Sequence, residues 1–432
     1  MVGSGIAGLS AAWLLGHRHE VTLFEAADRL GGHARTLLVP TAQGVAPVDM
    51  GFIVYNEATY PLLTQLFAHL GVASDVCPMT LSVSIGDGAL EYAGGSFRAV
   101  LAQPWNVIRP RYLGMLHDIA RFNQLAHRHL AHKDEDDGLS LGDFLSRHRF
   151  GRALRDWYLL PMAASIWSAP IARILDYPAR SLLAFLANHG LLRVGRRLQW
   201  RTVNGGARSY VDRLARSLRA EIRLAVPIAG VRRLADGVEL RDCAGAEHRF
   251  DRVVLATHAD HGLRLLADAT PLERSVLGTF RYQPNRAVLH SDPELMPRRR
   301  GVWASWNYTA HADTPPWRSV AVTYWMNRLQ RLDEAPPLFV SLNPLREPAP
   351  ALVHAEARFD HPVFEVAALA AQRRLGRIQG AGGVWHVGAW LGWGFHDDGL
   401  RAGIAVARAF GCAPPWEEKV RTAVPALAPE PA

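Results

Sequence analysis

The sequence predicts an α/β fold built on a parallel sheet, and three observations predict it. A glycine loop, Gly3-Ser4-Gly5-Ile6-Ala7-Gly8, opens the chain and runs into an apolar, small-residue helix from Ile6 to Leu15. A short strand pattern, Val21 to Glu25, follows and ends on an acid. A second glycine-bearing loop, Asp28 to Thr36, comes directly after that acid. Loop, helix, strand and loop in this order make one half of a nucleotide-binding α/β unit.

Each glycine of the first loop has a physical reading. Gly3 permits the tight turn, Gly5 lets a pyrophosphate approach the backbone, and Gly8 lets the helix pack on the strand. The helix N-terminus, at Ile6 and Ala7, turns free N–H groups toward the phosphates. Glu25 falls 20 residues after Gly5. A carboxylate at that strand end accepts hydrogen bonds from ribose hydroxyls, and Ala26 is taken with it. The pattern is a Rossmann-type domain with one element missing. Such a domain needs a hydrophobic strand before its first glycine, and only Met1 and Val2 precede Gly3. The expectation is a parallel sheet lacking its first strand, with the true start several residues upstream or the chain clipped.

The second loop separates FAD from a nicotinamide cofactor. In Arg29-Leu30-Gly31-Gly32-His33-Ala34-Arg35-Thr36, the paired glycines bring backbone to the ligand a second time. Arg29 and Arg35 offset phosphate charge with planar donors. Gly31, Gly32, His33 and Ala34 join the predicted FAD contacts. No flavin-linking histidine or cysteine pattern is present, so the FAD is expected to be non-covalent.

Composition sets the outer bounds. With 432 residues, 49 % hydrophobic and 20 % charged, the chain is an ordinary globular one, long enough for two interleaved domains. The net charge is +8, and lysine occurs only at Lys133 and Lys419. This arginine excess reads either as GC-rich codon usage or as attraction to anionic surfaces such as phospholipid head groups. The arginines are scattered without a nucleic-acid motif, so no nucleic-acid partner is expected. Cys77, Cys243 and Cys412 show no metal-ligand spacing. No metal is expected, and a reducing, cytoplasmic setting, possible at the inner-membrane periphery, is the default. No apolar run reaches membrane-spanning length and no signal peptide is visible.

Farther along, residues from about Pro61 to Arg201 are mainly helical in pattern, with an acidic run, Asp134 to Asp137, read as a solvated loop. Asn204 to Arg219 reads as a glycine turn and an amphipathic helix. Ile222 to Leu255 reads as short strands, and Arg281 to Asn343 as sheet. Gly383 to Gly411 reads as a strand, a glycine-rich turn and a last helix beginning at Gly399. The predicted division places FAD binding in 1–60, 204–275 and 381–412. A largely helical substrate or cap region occupies 61–203, a substrate-domain sheet 276–380, and a loose tail 413–432.

These motifs together resemble the flavin-containing amine oxidase and phytoene desaturase superfamily, and within it a bacterial group of amine-oxidase-like NAD/FAD-binding proteins. The resemblance rests on Gly3 to Thr36, Val203-Asn204-Gly205-Gly206-Ala207-Arg208-Ser209-Tyr210, Pro227 to Val231 just after Val226, and Val254-Leu255-Ala256-Thr257. It also rests on Trp303-Ala304-Ser305-Trp306-Asn307-Tyr308, Gly388-Ala389-Trp390 and Gly394-Phe395-His396-Asp397-Asp398-Gly399. It covers most of residues 1 to 412.

The resemblance implies further contacts. Val226 would meet the adenine and Ala256 would close the FAD domain. Gly51 and Phe52, within Asp49 to Asn56, would run past the flavin ring, with Tyr55 and Asn56 lining the substrate pocket. Gly388, Trp390, Gly399, Leu400 and Ala402 would surround the flavin. The N–H groups of Gly399 and Leu400 would face its N1 and C2 edge, where a helix dipole stabilises reduced flavin. Asp397 and Asp398 read as helix caps. His396 is the candidate acid or base, against a purely structural histidine. Trp167, Trp303, Trp306, Tyr308 and Trp390 are candidates for an apolar cavity.

Many amine oxidases of this superfamily hold a water at flavin N5 with a lysine, and neither lysine here falls in a matching motif. The desaturase branch needs none. The leading expectation is therefore oxidation or desaturation of a lipid-like substrate, acyl or isoprenoid, by hydride transfer to flavin N5. The alternatives are amine oxidation, a non-redox flavin isomerase, and a flavoprotein that serves a lipid-modifying partner.

Overall fold

The computed structural model describes residues 1–42, 44–132, 138–192, 198–315, 318–332 and 336–417. Lys133, the run from Asp134 to Asp137, Lys419 and the end of the tail lie outside the described residues.

The glycine-loop end of the molecule is a mixed α/β layer around a parallel sheet. Thr22–Phe24 pairs in parallel with Glu221–Arg223 on one side. Val253–Leu255 pairs in parallel with Val384–His386 at the other end. Val2 bridges the two pairs, in parallel with both Phe24 and Leu255. Its N–H donates to the Val254 carbonyl at 2.9 Å, and its own carbonyl accepts from Ala256 at 2.8 Å. The expected gap is therefore filled at the level of the glycine loop: two residues do the bridging of a central strand. The amino group of Met1 is buried, which lowers its pKa to about 5, and it donates to the Thr22 carbonyl.

Two helices close one side of this layer. The first, Ile6–Leu15, is buried along its whole length, as its apolar, small-residue composition dictates. The last, His396–Ala409, lies against it at the distance small residues allow. A Cβ on Gly403 would meet Ser10 Oγ at 2.2 Å, and one on Gly399 would meet Ile6 Cγ2 at 2.8 Å.

The second half of the molecule is a seven-stranded sheet. Its order runs from Val353–Val363 through Arg281–His290, Phe339–Leu342, Ala321–Trp325, Trp306–Ala310 and Leu81–Ile85 to Leu90–Ala93. All pairs are antiparallel except Trp306–Ala310 with Leu81–Ile85. Its core continues into the helices Pro110–Ala131, Leu160–Trp167 and Ala179–Asn188.

Two expectations change here. The region from Pro61 to Arg201 is not helical throughout: Ser74–Cys77, Leu81–Ile85 and Leu90–Ala93 are strands. The alternation Leu81-Ser82-Val83-Ser84-Ile85 has period two and pairs edge to edge with a strand more than 200 residues away. The last helix begins at His396, one turn before Gly399, because Asp398 caps it from inside. Its carboxylate accepts from the N–H groups of Trp393 at 3.0 Å and Phe395 at 3.1 Å.

Candidate functional site

The first glycine loop has the geometry an anion needs. Gly3 has φ +98°, and a Cβ there would meet the Ala256 carbonyl oxygen at 2.6 Å. A Cβ on Gly8 would lie 2.0 Å from the Gly3 carbonyl oxygen, whereas one on Gly5 would point into open space. So Gly3 and Gly8 are demanded by the fold, and Gly5 leaves a vacant approach to the backbone. Gly5 is the N-cap of the first helix, with no side-chain cap and no acid in the first turn. The first turn itself thus carries no charge that matches the positive end of that dipole.

The other predicted contacts converge on this loop. Glu25 accepts from Ser4 N at 2.8 Å, Ser4 Oγ at 2.5 Å and Ala27 N at 2.9 Å. The N–H of Val226 donates to the Glu25 carbonyl at 2.9 Å, which sets the predicted adenine strand beside the predicted ribose acid. Ala26 is exposed next to it. Gly31 donates to the Ser4 carbonyl at 3.0 Å, and a Cβ on Gly32 would lie 3.1 Å from the Gly5 Cα. The two glycine loops therefore touch. Ala34 closes the second one on the Gly31 carbonyl. Burial first, and then the neighbouring Arg35 guanidinium, lowers the Arg29 pKa. Among the described residues neither arginine has a carboxylate within salt-bridge distance, so the pair is a cationic site suited to a pyrophosphate.

Beyond the second loop lie Gly51, Phe52 and the start of the last helix. A Cβ on Gly51 would lie 2.1 Å from the His33 carbonyl oxygen. The Phe52 ring stacks on His396 with centroids 3.9 Å apart and planes 11° apart. The Tyr210 hydroxyl lies 2.6 Å from His396 Nε2. Burial, followed by His33, pushes the His396 pKa down to about 3, while burial and then Asp49 raise that of Tyr210. Both groups are neutral near pH 7, and the hydroxyl donates to Nε2 or accepts from it according to the tautomer of the ring.

Beneath them, Asp49 accepts from Thr36 Oγ1 at 2.5 Å, Ala207 N at 2.9 Å and Gln330 Nε2 at 3.0 Å. Burial raises its pKa to about 7. Asp49 thereby ties the second glycine loop to the turn Gly205-Gly206 that starts the helix Arg208–Arg216. Gly206 has φ +82°, and a Cβ there would lie 2.5 Å from Thr36 Cγ2.

Some sequence-predicted roles are redistributed. The Gly399 N–H is used by the Phe395 carbonyl at 3.1 Å, and Leu400 lies a residue deeper in the helix. The open amides of this terminus are those of the first turn, at His396 and Asp397. Asp397 caps a different helix, Pro61–Leu70, by accepting from Leu63 N at 2.9 Å. Ala402 is buried in the helix contact.

The Tyr55 hydroxyl donates to Ser74 Oγ at 2.8 Å, and the Asn56 amide is bonded to Thr59. Both side chains are spent on local structure and neither is a partner of His396. Trp390 is taken up by other contacts: its ring packs on Phe280 and its Nε1 donates to the Thr257 carbonyl. Gly388 belongs to that turn, since a Cβ there would strike Trp390 Nε1 at 2.4 Å. Trp303 packs on Trp325 and Phe339. The five aromatics expected to share one cavity are thus not gathered.

Other rings form a wall instead. Phe395, the residue before His396, stacks on Phe185 at 5.1 Å and meets Tyr60 and His189. Phe185 continues to Trp167 at 4.5 Å and Trp393 at 5.9 Å. Trp167, Tyr177, Leu182, Phe364, Leu369 and Trp393 enclose a small apolar cavity at its end. On the opposite flank, His33 lies among Phe359, His361 and His258. Ligand atoms of His258, Asp260 and His261 also lie within 4.8 Å of one another, but Arg264 holds the Asp260 carboxylate at 2.8 Å.

The family model for flavin containing amine oxidoreductase matches residues 6–288. The chain belongs to the flavin-containing amine oxidoreductase family. As a member it is an FAD-dependent oxidoreductase, and the open approach at Gly5, the paired arginines and the uncapped first helix fit that cofactor. Solved structures share the fold. A CLA-producing fatty acid isomerase from P. acnes superposes with a TM-score of 0.67 at 17 % identity, over 95 % of this chain and 97 % of that one. Cyclohexylamine oxidase from Brevibacterium oxydans gives 0.66 at 16 %, over 97 % and 98 %. A protein described as a putative protoporphyrinogen oxidase from Exiguobacterium gives 0.65 at 17 %, over 95 % and 97 %. No curated protein matches the sequence. Tyr210 and Asp49 are among the residues of this candidate site that sequence reasoning did not assign a part, since their partners are remote in sequence.

Proposed function

We propose that this flavin-containing oxidoreductase acts on a lipid-like substrate, acyl or isoprenoid, with FAD held non-covalently in a Rossmann-type domain formed by residues 1–60, 204–275 and 381–412. The observation that carries this reading is the run of aromatic rings from Trp393, tilted on Phe185, to Phe395, stacked on Phe185 and next in sequence to His396. Many amine oxidases of this superfamily hold a water at flavin N5 with a lysine. Asp397 and Asp398 are taken up as helix caps, and no lysine occurs among the described residues. One protein of the same fold is described as a fatty acid isomerase, and we take that description as support for the reading.

FAD supplies a two-electron acceptor when bound. The protein's own part is binding, orientation and exclusion of water. Arg29 and Arg35 meet the pyrophosphate, and Glu25 the ribose. The first-turn amides of the last helix favour negative charge at the flavin edge. His396 is neutral near pH 7 and is locked by Phe52 and Tyr210, so it positions rather than carries a proton through bulk exchange.

The test is a chain-length series, titrating the holoenzyme with straight-chain acids and the matching amines and following the flavin spectrum. Burial of chain against the wall predicts affinity rising about fourfold per added CH2, at ~0.8 kcal/mol each. Flat affinities for the acids, with tight binding of short amines, would overturn the reading.

A further inference from the structure

Residues 96–113 invert the usual arrangement of a protein surface. Two of their polar side chains, Gln103 and Asn106, are turned inward. Gln103 is fully buried, accepting from Glu91 N at 3.0 Å and donating to the Gly88 carbonyl at 2.8 Å. Asn106 is fully buried too, and Arg109 reaches its Oδ1. Their large apolar side chains are turned outward: Phe97 is 80 % exposed, Ile108 76 %, and Trp105, Val107 and Leu113 between 42 % and 47 %. Five of the eleven large apolar side chains that are exposed among the described residues fall in this one stretch, so the exposure is concentrated rather than scattered.

The segment is held rigidly in that posture. The Tyr112 hydroxyl donates to the Val100 carbonyl at 2.6 Å, tying the turn at Phe97–Val100 to the start of the helix Pro110–Ala131. Ala99 and Ala102 pack under it against Val302. This brings up a second segment, Arg298-Arg299-Arg300, and the Arg299 guanidinium lies over the Trp105 ring at 5.1 Å. From Gly94 to His117 there is no acidic residue, and Arg98, Arg109 and Arg111 add to the three arginines. The nearest carboxylate, Glu91, is buried beneath and is occupied by the amides of Arg298 and Arg299 and by the Arg299 side chain.

We propose that this face docks on an anionic lipid bilayer, with Phe97, Trp105 and Ile108 entering the head-group boundary and Arg98, Arg111 and Arg300 meeting lipid phosphates. Protruding apolar side chains ringed by arginine suit shallow insertion, where the stems lie along apolar surface and the charges stay at the phosphates. No helix among the described residues is long and apolar enough to cross a membrane, so the contact is peripheral. The proposal stands apart from the substrate reading: it concerns where the enzyme sits, not what it turns over.

Co-sedimentation of the holoenzyme with vesicles of phosphatidylcholine alone, or with a quarter phosphatidylglycerol, tests it. The wild type is expected to pellet with the anionic vesicles, weakly with the neutral ones, and to be released by high salt. The double variant Phe97→Ser/Ile108→Ser should bind at least about tenfold more weakly, and Arg98→Glu/Arg111→Glu should lose the preference for anionic lipid. Retained flavin absorbance shows that the variants are folded, since these side chains face solvent. A wild type that stays in the supernatant with anionic vesicles at low salt would overturn the proposal. So would a Phe97→Ser/Ile108→Ser variant that binds as well as the wild type. Conversion of a dimer to a monomer by that variant, without vesicle binding by either form, would make the face a protein interface and also refute it.

Discussion

The hydroxyl of Tyr210 and Nε2 of His396, 186 residues apart in sequence, meet at 2.6 Å. This contact locks the ring that Phe52 stacks upon and joins the helix after Gly206 to the start of the last helix. Tyr210→Phe leaves Nε2 without its partner and is expected to cost about 1–3 kcal/mol of stability. In a double-mutant cycle with His396→Phe the two costs should be clearly less than additive, as thermal unfolding would show. Full additivity would mean that the pair does not interact.

Gly5 and Gly8 should fail in different ways. Gly5 has φ −63°, and its Cβ would meet nothing within 4 Å. Gly5→Ala should fold within about 1 kcal/mol of the wild type yet lose FAD affinity by about tenfold or more. Gly8→Ala must push against the Gly3 carbonyl and should cost about 3 kcal/mol whether or not FAD is present. Apo-protein unfolding and FAD titration together separate the two effects.

Glu25 tests the ribose assignment. Glu25→Gln keeps one acceptor for Ser4 and alters the pair that faces the ligand. FAD should bind about 10-fold more weakly with little change in apo stability, since a charge-assisted hydrogen bond is worth ~1.5–3 kcal/mol. Unchanged affinity in a calorimetric titration would remove Glu25 from the site.

Stability should depend on pH in two opposed ways. Burial lowers the pKa of His258, His189 and His290 to about 4, and of His361 and His396 to about 3. The unfolded chain takes up these protons from about pH 6.5 downward while the folded chain does not, so stability falls as pH drops below 6.5. Asp49 acts in the other sense, because its raised pKa of about 7 means the folded state keeps the proton that the unfolded state releases near pH 4. From pH 4 to 7, Asp49→Asn should therefore gain on the wild type by at most about 1.4 kcal/mol per pH unit. Denaturant midpoints of both proteins across that range check the sign; parallel curves would contradict it.

The parts legible in sequence are those with local causes. Gly3, Gly5 and Gly8 act within six residues, Glu25 ends the adjoining strand, and the two loops touch as their glycines require. The parts that escaped depend on distant pairing. Val2 serves as a strand only because Phe24 and Leu255 flank it, which two residues of sequence do not announce. The last helix starts at His396 because Asp398 reaches back to the Phe395 N–H, and a phenylalanine at the cap position gives no start signal in the sequence. The alternating segment from Leu81 to Ile85 is short, and the strand it pairs with in parallel, Trp306–Ala310, is remote in sequence. Trp390 carries a family motif, yet its indole is drawn to the Thr257 carbonyl and the Phe280 ring.

The most direct test of the central claim is the absorbance spectrum of the purified holoenzyme during anaerobic addition of dispersed lipid extract and, separately, of small amines. The account predicts oxidised-flavin bands that bleach with lipid in proportion to the amount added and stay unchanged with amines. Bleaching by amines and never by lipid would contradict it.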